Sequence, residues 1–400
     1  MTRRTFILAL LFLIEVTAYA QPDEFYISLK YSDWGELDSL SQIVSIDKVD
    51  DGTVWAYASA KELNLLERRC KRYQLCSDND AAEKASYTMA HTTNQMREWT
   101  HYPTYDVYEA MMAEFAAEHP DICKLEEIAT LASGHRLLSV KISGNVLSDS
   151  TDKPELLCTA NIHGNECVCM VTALRLCDYL LSNYDSMPEV RRLIDSTELW
   201  ILPLANPDGM YRYYDDTIKS STRSNGHSVD LNRNYPHING TQHPDGNDWQ
   251  EETTAMMRFF DKHHFSLSVA LHNGSECFNY PWDTWKRLTA DDDWWRLVGS
   301  AYRDTAQAYS ASGYFDDGCN HSANGLTNGY AWYSISGGQQ DYANYYKQCR
   351  EVTVEISSTK ILSGSSLPKI WEHNRRSLVG YLSEGLNGVR GKVCTVTGEP

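Results

Sequence analysis

The stretch "ELLCTANIHGNECVCMVTALRLCDYLL" (residues 155–181) decides the fold. An apolar run ends abruptly at His163, Glu166 follows three positions later, and a long apolar stretch with helical spacing then begins. The first part has the length and near-continuous apolar character of a strand buried on both faces. A buried strand that feeds directly into a long helix is the repeating unit of a layered α/β domain. His163 and Glu166 therefore stand at the mouth of a strand, where α/β sheets gather their reactive side chains. Taken alone, the pair could bind a metal, cap the helix, or do neither.

Working outward, the same strand character recurs in "LLSVKIS" (137–143), "ELWILPLA" (198–205), "SLSVALH" (266–272) and "EVTVEIS" (351–357), alternating with helical segments over residues 101–385. Ahead of this body, residues 21–76 read as a small α+β domain. Its elements are the strands "FYISLKY" and "TVWAYAS", the amphipathic helix "AKELNLLERRC", and a closing "YQL". The polar residues 77–100 read as a linker. After residue 385, one strand and a turn, "GVRGKVCTVTGEP", end the sequence.

Composition excludes some partners. The formal charge of −18 argues against nucleic acid, because binding to its backbone comes from Lys and Arg. Residues 1–20 carry Arg3 and Arg4, an apolar run, and the small-residue site Ala18-Tyr19-Ala20, which read as a signal peptide. That run is too short to span a bilayer, and no later segment is apolar enough. A secreted or periplasmic protein with no membrane span after cleavage is expected. Of the 11 cysteines, Cys158, Cys167, Cys169 and Cys177 fall in the apolar strand and helix, where cysteine packs as a small hydrophobe. Cys70/Cys76 and Cys319/Cys349 are the better bridge candidates by position.

Three further sites could carry chemistry. A zinc site needs one more nitrogen or carboxylate beside His163 and Glu166, with a fourth position left open. His272, which ends "SLSVALH", is the best placed to supply it. His263, His264, His237 and His243 fall in helix-end or loop contexts that suit solvated imidazoles. Arg223, Asp230, Asn232 and Arg233 cluster in "STRSNGHSVDLNRNYPH", and a guanidinium with an amide beside it is a ready carboxylate clamp. Glu355 lies inside an apolar β-branched strand, where an unpaired carboxylate is costly unless it acts.

The segments "NIHGNE", "NPDG", "R-x₆-DLNRNYP", "LHNGSECFNYPWD", "GLTNGYAWYSISGGQQDY", "EVTVEIS" and "LPKIWEHNRRSLVGYL" occur in the order found in the zinc carboxypeptidases of the carboxypeptidase A/B superfamily. Over roughly residues 100–390 the chain most resembles the regulatory branch that includes carboxypeptidases N, E, M and D. The resemblance implies a mixed central sheet with helices on both faces. It also implies one Zn²⁺ per chain, held by His163, Glu166 and His272. Glu355 would be the general base and acid, Arg223 would polarise the scissile carbonyl, and Asn232 and Arg233 would grip the terminal carboxylate of a peptide or protein. Tyr333 matches the tyrosine that closes over bound substrate, and Asp230 would support His163 from behind.

Two positions bear on specificity. Asp283 in "FNYPWD" matches the acidic pocket residue of the regulatory branch, and Gln340 in "SGGQQDY" stands at a second pocket position. If the branch logic applies, Asp283 implies release of C-terminal Lys or Arg; otherwise it caps the helix beginning "TWKRL". The chain departs from the pattern at His272-Asn273-Gly274, where relatives often have His-Gly-Gly. Residues 386–400 read as the first strand of the transthyretin-like domain that follows in that branch. The α+β domain is not the long activation segment of digestive members, and reads as a prosegment, a folding aid or a binding module. Alternative functions are trimming of peptidoglycan stem peptides and, on the same fold, an inactive peptide-binding protein.

Overall fold

A computed structural model describes residues 24–77, 87–147, 152–240, 245–311, 313–316, 319 and 324–389. The signal peptide at 1–20, and all but the first four residues of the 386–400 strand, lie outside the described residues.

The N-terminal unit is a four-stranded antiparallel sheet. Its strands are β1 (Phe25–Lys30), β2 (Ser45–Asp50), β3 (Thr53–Ala58) and β4 (Tyr73–Leu75), in the order β2-β3-β1-β4. Two helices pack their leucines on it. Trp34–Ser41 is capped by Asp33, which accepts from the Glu36 amide, and Ala60–Arg68 opens with a reciprocal Ser59/Glu62 capping box. Leu37, Leu40, Leu66, Ile27 and Ile46 make its core. The sequence pattern missed Trp34–Ser41 and β2, because one is short with few apolar positions and the other carries Asp47, Lys48 and Asp50 among its six residues.

The expected linker corrects at its second half. Strand β5 (Met89–Ala90) pairs with β6 (Tyr102–Pro103), and a turn of helix at Thr93–Met96 lies between them. Ala90, Met96 and Trp99 are buried in the large core. Three apolar anchors in an otherwise polar stretch are too few to show a period, yet they fix residues 89–99 to the large body.

The large body is built on eight strands: β7 (Cys123–Thr130), β8 (Arg136–Ile142), β9 (Glu155–Ala160), β10 (Glu198–Leu202), β11 (Phe265–His272), β12 (Ser275–Tyr280), β13 (Leu326–Asn328) and β14 (Arg350–Ser357). Their order is β13-β12-β14-β11-β9-β10-β8-β7. Strands β10, β9, β11 and β14 run parallel at the centre, with antiparallel partners β8 and β12 outside them. The sheet is therefore mixed. One face packs the helices Tyr105–Glu118, Cys167–Asn183, Asp292–Ala308 and Leu367–Ser383, and the other packs Glu251–Lys262 and Gln339–Tyr346. Cys158, Cys167, Cys169 and Cys177 are all buried in the first of these cores. Cys319 lies against Cys277, and the Cys349 thiol sits 3.2 Å from Ser268 Oγ, so position along the chain did not pair Cys319 with Cys349.

Candidate active site

The site forms where β9, β11 and β14 end side by side. Asn161 takes the chain off β9 in the left-handed conformation (φ 59°), and its side-chain amide donates to the carbonyls of His163 and Gly164. Gly164 must be glycine, since a Cβ there would lie 2.2 Å from the Gly209 carbonyl carbon. This close approach seats "HGNE" on "NPDG". Asn206 completes the brace by donating to Ile162 O and Arg223 O while accepting from the Gly209 amide.

His272 is the last residue of β11 and is register-paired with Glu355 on β14. His163 Nδ1 lies 2.9 Å from one oxygen of Glu166, and His272 Nδ1 lies 3.0 Å from the other. His163, Glu166 and His272 can each turn one ligand atom to a common point, all within 4.8 Å of one another. His163 Nε2 is 3.1 Å from Asp230 Oδ1. An N–H donated there leaves the Nδ1 lone pair facing Glu166, the tautomer a metal requires. Burial pushes the Glu166 carboxyl up, but His163 and His272 more than offset this and hold it well below the usual carboxylate range. Two imidazole nitrogens and a carboxylate converging in a buried pocket are the donor set of a three-ligand zinc site.

Arg223 and Arg233 enter from the loop after β10. Arg223 Nη1 donates to Glu166 Oε1 at 3.3 Å, and its Nε lies 3.2 Å from Asp230 Oδ2. Asp230 thus links His163 to Arg223, and its side chain also caps the turn Leu231–Arg233 by accepting from the Asn232 amide. Arg233 Nη1 is tied to the Asn232 carbonyl, while its Nε and Nη2 are buried without a hydrogen-bond partner among the described residues. Glu355 Oε2 is orphaned in the same way. Burial, with Glu166 nearby, pushes the Glu355 carboxyl up to about 7, against the pull of His272 and Arg223. Orphaned donors and an orphaned acceptor facing one cavity mark a place built for a ligand.

Asp283 and Gly329 both line that cavity, and a Cβ at 329 would fall 1.8 Å from Asp283 Oδ1. Gln340 does not line the cavity. It stands behind, with Nε2 donating to Asp283 Oδ1 (2.9 Å) and Oε1 accepting from the Thr353 amide (2.7 Å). Asn279 Nδ2 lies 3.3 Å from the same Asp283 oxygen. Burial and the neighbouring Asp341 hold the Asp283 carboxyl well above its ordinary range.

These arrangements accompany a family match. A zinc carboxypeptidase model matches residues 108–377. The chain belongs to the zinc carboxypeptidase family. Among curated relatives, mouse carboxypeptidase D is 33% identical over 306 residues, which cover 74% of this chain and 22% of that one. Mouse carboxypeptidase M is 33% identical over 309 residues, covering 73% of this chain and 67% of that one. The match thus spans about a fifth of the length of the carboxypeptidase D relatives. In fold, the chain is similar to carboxypeptidase A from Helicoverpa armigera, with a TM-score of 0.68 at 17% identity, covering 92% of this chain and 98% of that one. It is likewise similar to thrombin activatable fibrinolysis inhibitor, with a TM-score of 0.67 at 14% identity, covering 92% and 100%. Zinc is the cofactor of this zinc carboxypeptidase family, and the donor set of His163, Glu166 and His272 fits it. No helix among the described residues is long and apolar enough to cross a membrane.

Several residues at the site were not foreseen. Ser45 Oγ contacts both Arg223 Nε (2.5 Å) and Asp230 Oδ2, and Ile46 and Asp47 line the cavity. Tyr333, expected over the substrate, donates to the Ile46 carbonyl at 3.3 Å and packs on the core of the N-terminal unit. Glu24 accepts from the amides of Arg223 and Ser224. The remaining space is about 40 Å³, far below the roughly 300–1,000 Å³ of ordinary ligand pockets. The Asn273 departure has a structural role: its Oδ1 accepts from the Cys169 amide at 3.0 Å, tying the end of β11 to the helix after Glu166. Lys360, just beyond β14, is buried and reaches Asp47 and Tyr57. A lone lysine closing the run "EISSTK" was its one sequence signal.

Proposed function

We propose that this chain is an extracytoplasmic exopeptidase that hydrolyses the last peptide bond of peptides or proteins and prefers C-terminal Lys or Arg. The observation that carries it is the buried, unpartnered pair of Arg233 nitrogens beside Asn232. Guanidinium donors left without hydrogen bonds in a buried cavity are costly, and a free carboxylate satisfies both in a fork. An internal peptide bond offers no such charge, so the clamp selects chain ends.

With the terminal carboxylate on Arg233, the final side chain runs toward Asp283, whose oxygen Gln340 and Asn279 orient. The scissile carbonyl then lies near Arg223, which meets charge developing on its oxygen; loss of such a contact typically costs about 10²–10³ in rate. Zinc held by His163, Glu166 and His272 supplies Lewis acidity toward the carbonyl and lowers the pKa of water. Glu355, raised to about 7, is poised to accept a proton from the attacking water and return it to the departing amine. Asp230 holds His163 and Arg223 in register through its two oxygens. The N-terminal unit contributes Ile46 and Asp47 to the wall of the same cavity.

The test is release of free amino acids from peptides that differ only in the last residue, with and without a C-terminal amide. Release of Lys and Arg from free-acid peptides alone is expected. Cleavage of the amidated peptides at equal rate would sink the exopeptidase assignment.

A further inference from the structure

The Lys360 side chain is buried beside Gly274, which forms the turn between β11 and β12 and lines the cavity. Its hydrogen-bond partners among the described residues are Asp47 Oδ1 and the Tyr57 hydroxyl (3.0 Å), and the Tyr57 ring centroid lies 4.6 Å from it. All of these belong to the N-terminal unit. Asp47 is itself held in place by the Tyr26 hydroxyl, which donates to its other oxygen at 3.0 Å. The catalytic body thus carries a buried cation whose partners are supplied by the segment lying across the cleft.

The direction of a bound peptide sets what that cation would meet. The Tyr57 ring centroid lies 5.8 Å from the Arg223 guanidinium and 4.6 Å from the Lys360 ammonium, and Gly274 beside Lys360 lines the same cavity as Arg223, Glu166, Glu355, Arg233 and Asp283. A peptide anchored by its terminal carboxylate at Arg233, with its scissile bond at Arg223, must continue past Glu166 toward Lys360. We infer that Lys360 forms a cationic subsite for an acidic side chain within two residues upstream of the scissile bond, a place that Asp47 fills in the intact chain. This rests on the exopeptidase reading and adds a second charge requirement to it. An Asp or Glu there replaces Asp47, whereas a neutral residue leaves a buried ammonium unpaired, which is disfavoured.

The experiment uses the zinc-loaded full chain carrying Asp47→Asn, which weakens the resident contact, and peptides ending in Lys with Glu, Gln or Ala at each of the two preceding positions. The ratio of kcat/KM between two peptides cancels the fraction of chain that is open. A Glu:Gln ratio of at least tenfold is expected at one of the positions, falling to about one in the Asp47→Asn/Lys360→Met double variant. A ratio near one in the single variant overturns the subsite and leaves the exopeptidase reading standing. Should no peptide be cleaved by any variant, the exopeptidase reading fails. Lys360 is then judged by its acetylation rate, read by mass spectrometry: the Glu peptide slows it at least threefold relative to the Gln peptide, and equal rates overturn the inference.

Discussion

Replacing Asp283 with Asn tests the pocket with little change of shape. The carboxyl is buried beside Asp341, and one of its oxygens already takes the Gln340 amide at 2.9 Å. An incoming ammonium or guanidinium about 4 Å away gains roughly 4 kcal/mol at an effective dielectric near 20. Part of that is offset by desolvating the incoming cation in the buried pocket. A net of about 2–3 kcal/mol remains, or roughly 30–150-fold in kcat/KM for Lys over an isosteric apolar residue. The assay measures kcat/KM for paired peptides ending in Lys and norleucine, as a ratio within each protein. Wild type should favour Lys by that factor, and Asp283→Asn should bring the ratio near one. Because the raised carboxyl is neutral at low pH, the wild-type ratio should grow as pH rises. A wild-type ratio near one, or a ratio unchanged by Asp283→Asn, refutes the pocket assignment.

Glu355→Gln should retain zinc and fold yet lose about 10²–10⁴ in kcat, the usual worth of a positioned base; near wild-type turnover would remove Glu355 from the chemistry. His272→Ala should lose most bound zinc by elemental analysis, and full stoichiometry would mean that another group is the third ligand. Glu62 in the N-terminal capping box is raised to about 7 by burial, with Asp230 and Glu24 adding to it. A carboxyl whose folded pKa lies above its unfolded value contributes most stability at low pH and loses it as pH climbs from about 4.5 to 7. Glu62→Gln keeps the capping bond, so it should raise Tm at pH 8 by the equivalent of about 1–3 kcal/mol and give no gain at pH 4.5. An equal gain at both pH values would rule out the charge as its cause.

The strands that build the catalytic sheet, and the chemistry at their ends, were legible in the sequence because their signals are local. His163 and Glu166 are three residues apart, His272 closes an apolar run, and Glu355 interrupts one; parallel register then brings His272 beside Glu355. Which faces meet is not a local property. The Asp230 oxygens reach His163 and Arg223 only through a long loop, and Gln340 stands behind Asp283 because α-helical and strand packing carry it there. Ser45 and Asp47 lie on a strand whose alternating charges hide it, and they meet Arg223 and Lys360 across 178 and 313 residues of chain. Contacts at such separations follow from how two folded surfaces fit. The sequence therefore singled out His163, Glu166, His272 and Glu355 as candidates from local signals, and only the tertiary structure decided that residues of the N-terminal unit line their cavity.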